Sequence, residues 1–324
     1  MQRRQLLSAI GAGSFAALAG CDRLVVLDPE ADRELTPITP IGTFYVYQYD
    51  AMPEFDPETH VMRVTFEGEE LGSLTAADLA TVPVLEREQT LQCIGHSPRI
   101  VRIGNAVWGG QPLIDIFDGF GIVPPKNAVD LRLEGMDGYD AGVPVTDLYD
   151  APIWLVWQMN GEPLPFEHGA PARLLVPGKY GVKNLKWIRE IAFTTSPHAS
   201  YWTQFGWSEE ARYRPNTLIV SPFDGLVLEE GLTVGFVGSA YAGQDPIVAV
   251  EVRVDEGEWE SAALDYAPGP GIWAVWSWSW RTVPGDHFVQ VRCRTASGAV
   301  SDEDPRGTDV LMGYDGSMQI TVTV

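Results

Sequence analysis

Residues 158–188 read QMNGEPLPFEHGAPARLLVPGKYGVKNLKWI. The stretch holds Lys179, Lys183 and Lys186, three of the four lysines in the chain, together with His168 and Arg173. The 324-residue chain is otherwise strongly acidic, with a formal net charge of -22. A chain that uses almost no lysine elsewhere and clusters it among glycines and prolines needs cations there. Ammonium groups and backbone N–H donors so arranged suit a phosphate or another oxyanion. A solvated charged face is the plainer reading, and it fits poorly. Leu174, Leu175, Val176, Leu185, Trp187 and Ile188 make the same segment apolar enough to be buried. Gly178 and Gly181 would let a ligand approach the backbone closely.

The chain opens MQRRQLLSAIGAGSFAALAGC. Arg3-Arg4, a short apolar run and Leu18-Ala19-Gly20-Cys21 read as a twin-arginine export signal. It resembles those closed by a lipoprotein box, whose cysteine, here Cys21, becomes the lipidated N-terminus. Leu6 to Gly20 is too short for a transmembrane anchor, which needs roughly 20 residues. The expectation is a protein on the outer side of the cytoplasmic membrane, tethered by lipid on Cys21. Residues 22–40, with DPEADRELTPITP, read as the tether.

The acidic balance argues against a nucleic-acid partner, since phosphate backbones call for a basic surface. Abundant Asp and Glu with almost no lysine also fit a high-salt habitat, as well as an ordinary acidic exported protein. Beyond Cys21 there are Cys93 and Cys293, too few for a disulfide framework. Cys293, in the alternating run FVQVRCRT, reads as a buried strand residue.

About 300 residues remain after the signal, which predicts two domains. TFYVYQY, HVMRVTF, TLQCIG, VDLRLEG, IWLVWQM, ARLLVP and IREIAFT read as strands. Thr75 with Asp78 three residues on reads as a capped helix start, and Leu113, Ile116 and Phe117 recur at helical spacing. This predicts an α+β domain over 41–212 rather than a regular βαβ alternation. From about Pro215 short period-two runs alternate with turn residues, predicting an all-β sandwich of about a hundred residues over 213–324. Trp276, Trp278 and Trp280 lie on one face of a strand there, as core packing or as an aromatic platform for sugars.

Cys93 sits in LQCIGHS, where Gly95 permits close approach and His96-Ser97 mark the end of a strand. A lone thiol is commonly a small buried hydrophobe, yet thiolate is also the ligand suited to soft metal centres. No HExxH, CxxC pair, GxSxG, GxxxxGK[ST] or GxGxxG occurs.

Taken together, LQCIGH, GNAVWGGQPLIDIFDGFGI and the 158–188 block resemble the sulfite oxidase family of molybdopterin enzymes in order and spacing. The run SPFDGLVLEEGLTVGFVGSAYAGQDPIVAVEVRVDEGEW is similar to that family's C-terminal immunoglobulin-like dimerisation domain. The resemblance implies that Cys93 ligates molybdenum and that His168 and Arg173 contact the pterin and its phosphate. It places Lys186, before Trp187, in the phosphate cradle, with Lys179 and Lys183 beside it. Lys183 stands where the family has arginine and Asn184 where it has serine, each keeping a donor.

The substrate side departs from the family. Tyr47-Gln48-Tyr49 replaces an Arg-Asn-His, His96-Ser97 replaces Asn-Arg after Cys-x-Gly, and Trp207 stands for a tyrosine. Those family residues hold and polarise sulfite, and losing one such donor costs about 3 kcal/mol of transition-state stabilisation. Arg99 is expected to compensate in part. The implied activity is oxygen-atom transfer at a molybdenum–molybdopterin centre, with His96, Arg99 and Trp207 around the substrate. Without a haem-attachment motif, electrons would pass to a separate exported carrier of cytochrome or cupredoxin type, and the second domain implies a homodimer. The rival readings are a non-catalytic exported binding or adhesion protein using the sandwich, and a sulfoxide-type reductase on the same cofactor.

Overall fold

Period-two apolar patterning runs through most of the chain, and the architecture it builds is mostly β. A computed structural model describes residues 24–25, 35–302 and 310–324. The export-signal and lipidation readings at 1–21 lie outside the described residues. The described residues form four five-stranded sheets and two short α-helices, Ala76–Leu79 and Leu113–Gly119. The α+β expectation therefore holds only loosely, because both helices are too short to form a layer.

Two sheets make up the first half. One runs Glu69–Thr75, Val61–Phe66, Ile188–Thr194, Asp130–Gly135 and Asp140–Pro144; the pairing of Val61–Phe66 with Ile188–Thr194 is parallel. The other runs Arg173–Leu175, Trp154–Met159, Ile103–Pro112 and Leu85–Gln92, with Glu162–Pro163 added beside Trp154–Met159. Val64, Leu131, Leu133, Leu155, Leu174 and Phe193 are fully buried in a shared core, and the helix Leu113–Gly119 sinks Leu113, Ile116 and Phe117 into it. Thr75 caps Ala76–Leu79 through a capping box with Asp78, which satisfies two end donors reciprocally.

Residues 216–324 supply nearly all of the other two sheets, which share a core built on Phe236, Trp276, Val250, Val291 and Cys293. Trp276 is fully buried and Trp278 and Trp280 pack against that core, so the three tryptophans are packing residues. This half also grips the first. Thr90 N–H donates to the Gly271 carbonyl, Trp273 N–H donates to Thr90 Oγ1, and Tyr241 Oη donates to the Thr90 carbonyl. The side-chain amides of Gln92 and Asn216 bond each other in both directions, at 3.0 and 3.2 Å. The strand that ends one residue before Cys93 is thus pinned from outside its own sheet.

Two expectations fail locally. Residues 43–49 form no strand: Ile41–Thr43 is a 3-10 turn and the aromatics that follow point into different surroundings. Residues 35–39 are not a free tether, because Thr39 N–H donates to the Asn105 carbonyl and the Pro37 carbonyl accepts from Trp273 Nε1 and Asn105 Nδ2. Leu24–Val25 likewise pairs in parallel with the strand Thr233–Tyr241.

Gly110 shows how closely the strands beneath the site are packed. It lies at the register shift between Ile103–Pro112 and Trp154–Met159, where a Cβ would meet the Leu155 carbonyl oxygen at 2.1 Å and Val156 Cα at 2.6 Å. Backbone cannot yield as a side chain does. Gly110→Ala is expected to destabilise by about 3 kcal/mol, the upper range for overpacking, read as a lowered urea midpoint.

Candidate cofactor site

The strand Leu85–Gln92 delivers Cys93 to the rim of a cleft. Cys93, His168, Arg173, Gly181, Asn184 and Lys186 all line it. The structure therefore brings together six of the residues singled out in the sequence, from segments 75 to 93 positions apart from Cys93.

Burial pushes the Cys93 thiol up, opposed by the Gly95 N–H and by the Arg102 guanidinium. Gly181 sits against Cys93: a Cβ there would lie 3.3 Å from Tyr45 Oη and 3.7 Å from Cys93 Cα. Arg173 is buried at 6 % exposure, with Nη1 donating to the His168 carbonyl and Nη2 to the Asn184 carbonyl. Its Nε has no hydrogen-bond partner, and its guanidinium lies 5.3 Å from the Trp108 ring centroid. Burial alone lowers its pKa to about 10. Lys186 donates to the Glu167 carbonyl and stands 4.0 Å over the Trp187 ring. Burial and the neighbouring Arg173 push its ammonium down to about 7. Gly169, at φ +117°, is wedged between these two cations, where a Cβ would lie 3.1 Å from both Arg173 Cβ and Lys186 Cβ. His168 is held neutral, its pKa lowered to about 4 by burial and by Arg173.

The other predicted residues are placed differently. Lys179 and Lys183 line a second cleft, with Asp130, His198, Glu209 and Arg212. Lys183 is 3 % exposed and its Nζ donates to the Gly142 carbonyl, Ser200 Oγ and Glu209. Lys179 donates to the Glu210 carbonyl, with Asp147 at 4.0 Å. Both are spent on the protein's own acceptors and do not line the Cys93 cleft. Gly178 faces Gln244, away from it. Asn184 lines the cleft, but its amide donates to the Lys179 and Tyr180 carbonyls and so holds the loop.

On the substrate side, Arg99 is exposed and outside the cleft. His96 is buried, with Nδ1 accepting from Arg102 N–H, and burial lowers its pKa to about 3. Trp207 packs with Ile94, Tyr180 and Ala211 rather than lining the cleft, which takes Trp202 instead. The sequence reading missed Tyr139, Trp202 and Arg102. Only the aromatic density of residues 44–49 and 201–207 signalled such a wall.

The family described as "Oxidoreductase molybdopterin binding domain" matches residues 49–202, which span both sides of this cleft. Mitochondrial sulfite oxidase of Mus musculus is 28 % identical over 286 residues, 75 % of this chain and 52 % of that protein. NADH nitrate reductase 1 of Oryza sativa subsp. japonica is 26 % identical over 303 residues, 74 % of this chain and 33 % of that protein. The chain thus spans about half or less of the length of these curated relatives. The sulfane dehydrogenase SoxCD from Paracoccus pantotrophus has the same fold, with a TM-score of 0.78 at 20 % identity over 88 % of this chain and 81 % of that one. The 49–202 match and these relatives support a molybdopterin-dependent oxidoreductase of the sulfite oxidase type.

The two clefts should separate in a variant. Burial raises Glu209, but hydrogen bonds from Lys183, Thr203 and Ser200 outweigh it and hold the carboxyl below its ordinary value of 4.5. A depressed carboxyl contributes stability above that value and loses it as pH falls towards the folded pKa. Lys183→Met is expected to flatten this acid limb in denaturation measured from pH 6 to 3. It should also lower stability at pH 7 by about 2 kcal/mol, less than for a fully buried pair because Glu209 is 40 % exposed. Sulfate affinity at Arg173 and Lys186 should stay within about twofold, as for independent sites.

Proposed function

We propose that the chain is a molybdenum–molybdopterin oxidoreductase that transfers an oxygen atom at a metal held by the Cys93 thiolate. The pair Arg173–Lys186 carries this reading. Two cations stand side by side in a cleft, forming no ion pair among the described residues, one with an unpartnered buried Nε. Such charges are destabilising until an anion arrives, and the phosphate of the cofactor is one.

The residues fit the group. Arg173 Nε and the Lys186 ammonium would hold the anionic end, with Gly169 keeping the two cations at their spacing. His168, neutral and edge-on to Phe44 at 5.6 Å, offers a ring hydrogen-bonding edge rather than a charge to the pterin. Cys93 offers a soft thiolate suited to molybdenum. When bound, the cofactor supplies a two-electron centre able to accept or donate an oxygen atom. Phe44, Tyr45 and Leu91 line the cleft around the thiol and exclude water from it.

Electrons would pass to a separate exported carrier of cytochrome or cupredoxin type. Export by the twin-arginine route, a lipid on Cys21, an immunoglobulin-like dimerisation role for residues 213–324 and a high-salt habitat complete the reading. The direction of turnover, oxidation or a sulfoxide-type reduction, is assigned by assaying both. A binding-protein role gains nothing from Trp276, which is buried in the core.

Elemental analysis of the purified protein should find about one molybdenum per chain, lost in Cys93→Ser while the fold is kept; a wild-type protein free of molybdenum overturns the reading. In protein produced without cofactor, sulfate should bind the Arg173–Lys186 cleft and take up a proton at pH 8. Lys186, with its pKa near 7, is mostly neutral there and must charge to hold the anion. The uptake should fade near pH 6 and vanish in Lys186→Gln, read by calorimetry in buffers of different ionisation enthalpy.

A further inference from the structure

Much of the cleft is lined by aromatic side chains. Tyr47 and Tyr49 line it from the irregular segment after Phe44, Tyr139 from the turn between two strands, and Trp202 from the 3-10 turn Tyr201–Phe205. The Tyr49 ring lies 6.1 Å from Tyr139 and 6.4 Å from Trp202, and Tyr201 backs it at 4.6 Å. The Tyr139 hydroxyl donates to the Val182 carbonyl at 2.7 Å, so it is not free to hold an oxyanion.

Charge points the same way. Among the described residues lining the cleft, the cations are Arg173 and Lys186, and Asp137 and Glu167 are there as acids. An anionic cofactor end would occupy both cations. A second anion would then face two carboxylates with no cation in the lining to offset them. Arg102 stands beside Cys93 but does not line the cleft; its guanidinium is committed to the Cys93 thiol, which it hydrogen-bonds, and to the Tyr47 ring, over which it stacks at 4.1 Å. The chain's net charge of -22 further opposes the approach of anions and favours cations.

We propose that the cleft beside Cys93 takes an uncharged or cationic substrate whose reacting heteroatom carries small alkyl groups, and turns small oxyanions away. The π faces of Tyr49 and Trp202 hold the alkyl-bearing head, by cation–π attraction where it is charged and by apolar contact where it is not. The inference rests on the cofactor reading for the direction in which the substrate must lie, but the aromatic wall is built from the chain's own side chains.

Calorimetric titration of the full chain, with cofactor and without, tests it using tetramethylammonium as the cationic probe and sulfate as the oxyanion. Tetramethylammonium should bind both forms, and sulfate only the cofactor-free one. Tyr49→Ala and Trp202→Ala should each weaken tetramethylammonium roughly five- to thirtyfold, the range of a desolvated cation–π contact, while Tyr49→Phe keeps it. Unchanged circular dichroism in the alanine variants ties the loss to the wall rather than to unfolding. Sulfate binding the loaded protein more tightly than tetramethylammonium, and losing that in Arg102→Gln, would overturn the proposal and make Arg102 the oxyanion donor. Tetramethylammonium affinity unmoved by both alanine variants would overturn it too. Molybdenum content, measured separately, reports on the cofactor reading alone: the wall can bind the cation in a protein that holds no metal.

Discussion

Arg173 is the constraint around which the site is organised. A guanidinium buried to 6 % exposure without a carboxylate partner among the described residues is an unfavourable thing to fold. It is tolerated because two carbonyls accept from its terminal nitrogens and the face of Trp108 lies beneath it. Those carbonyls belong to His168 and Asn184, on either side of the strand Arg173–Leu175, so the same bonds close the loop that carries Lys186. The arginine shapes its own cradle and leaves Nε for a ligand. Replacing it would remove both the anchor of the loop and the charge the loop presents.

The second half of the chain contributes to the site without lining the cleft. Thr90 and Gln92 precede Cys93 by three residues and one, and both are bonded to residues beyond 215. A thiol at the end of a strand would otherwise depend on that strand's edge pairing alone. Bonds from Gly271, Trp273, Tyr241 and Asn216 fix the end of that strand from outside, the kind of preorganisation the proposed metal-ligand role of Cys93 calls for. The boundary between halves is therefore a polar, bonded junction rather than a hinge between independent units.

The strands whose apolar residues alternate or run continuously were legible in the sequence, because burial enforces those patterns. Thr75 with Asp78, and Leu113, Ile116 and Phe117, were legible as local chemistry. Residues 43–49 were not. Their alternating aromatics look like a strand, yet Phe44 is buried against Trp108 and His168 while Tyr47 and Tyr49 face the cleft, so the pattern reports contacts on several sides and no ladder. The strands Glu69–Thr75 and Asp140–Pro144 were missed for the opposite reason: glycine and acidic residues carry no periodicity.

Charge clustering shows where sequence proximity ceases to mean spatial function. Lys179, Lys183 and Lys186 lie within eight positions, but the 3-10 turn Gly181–Lys183 turns the chain between them. Lys183 is directed to Ser200 and Glu209, and Lys186 to the opposite side, beside Arg173. What distinguishes Lys186 is its arginine neighbour: Asp137 and Glu167 act on its charge from nearby, but neither forms an ion pair with it among the described residues. Lys183 meets a carboxylate and stays a structural charge, whereas Lys186 is set next to another cation and loses much of its proton affinity. A protein with 44 acidic residues could have neutralised Lys186 easily. That it forms no ion pair among the described residues is what the proposed anion site rests on.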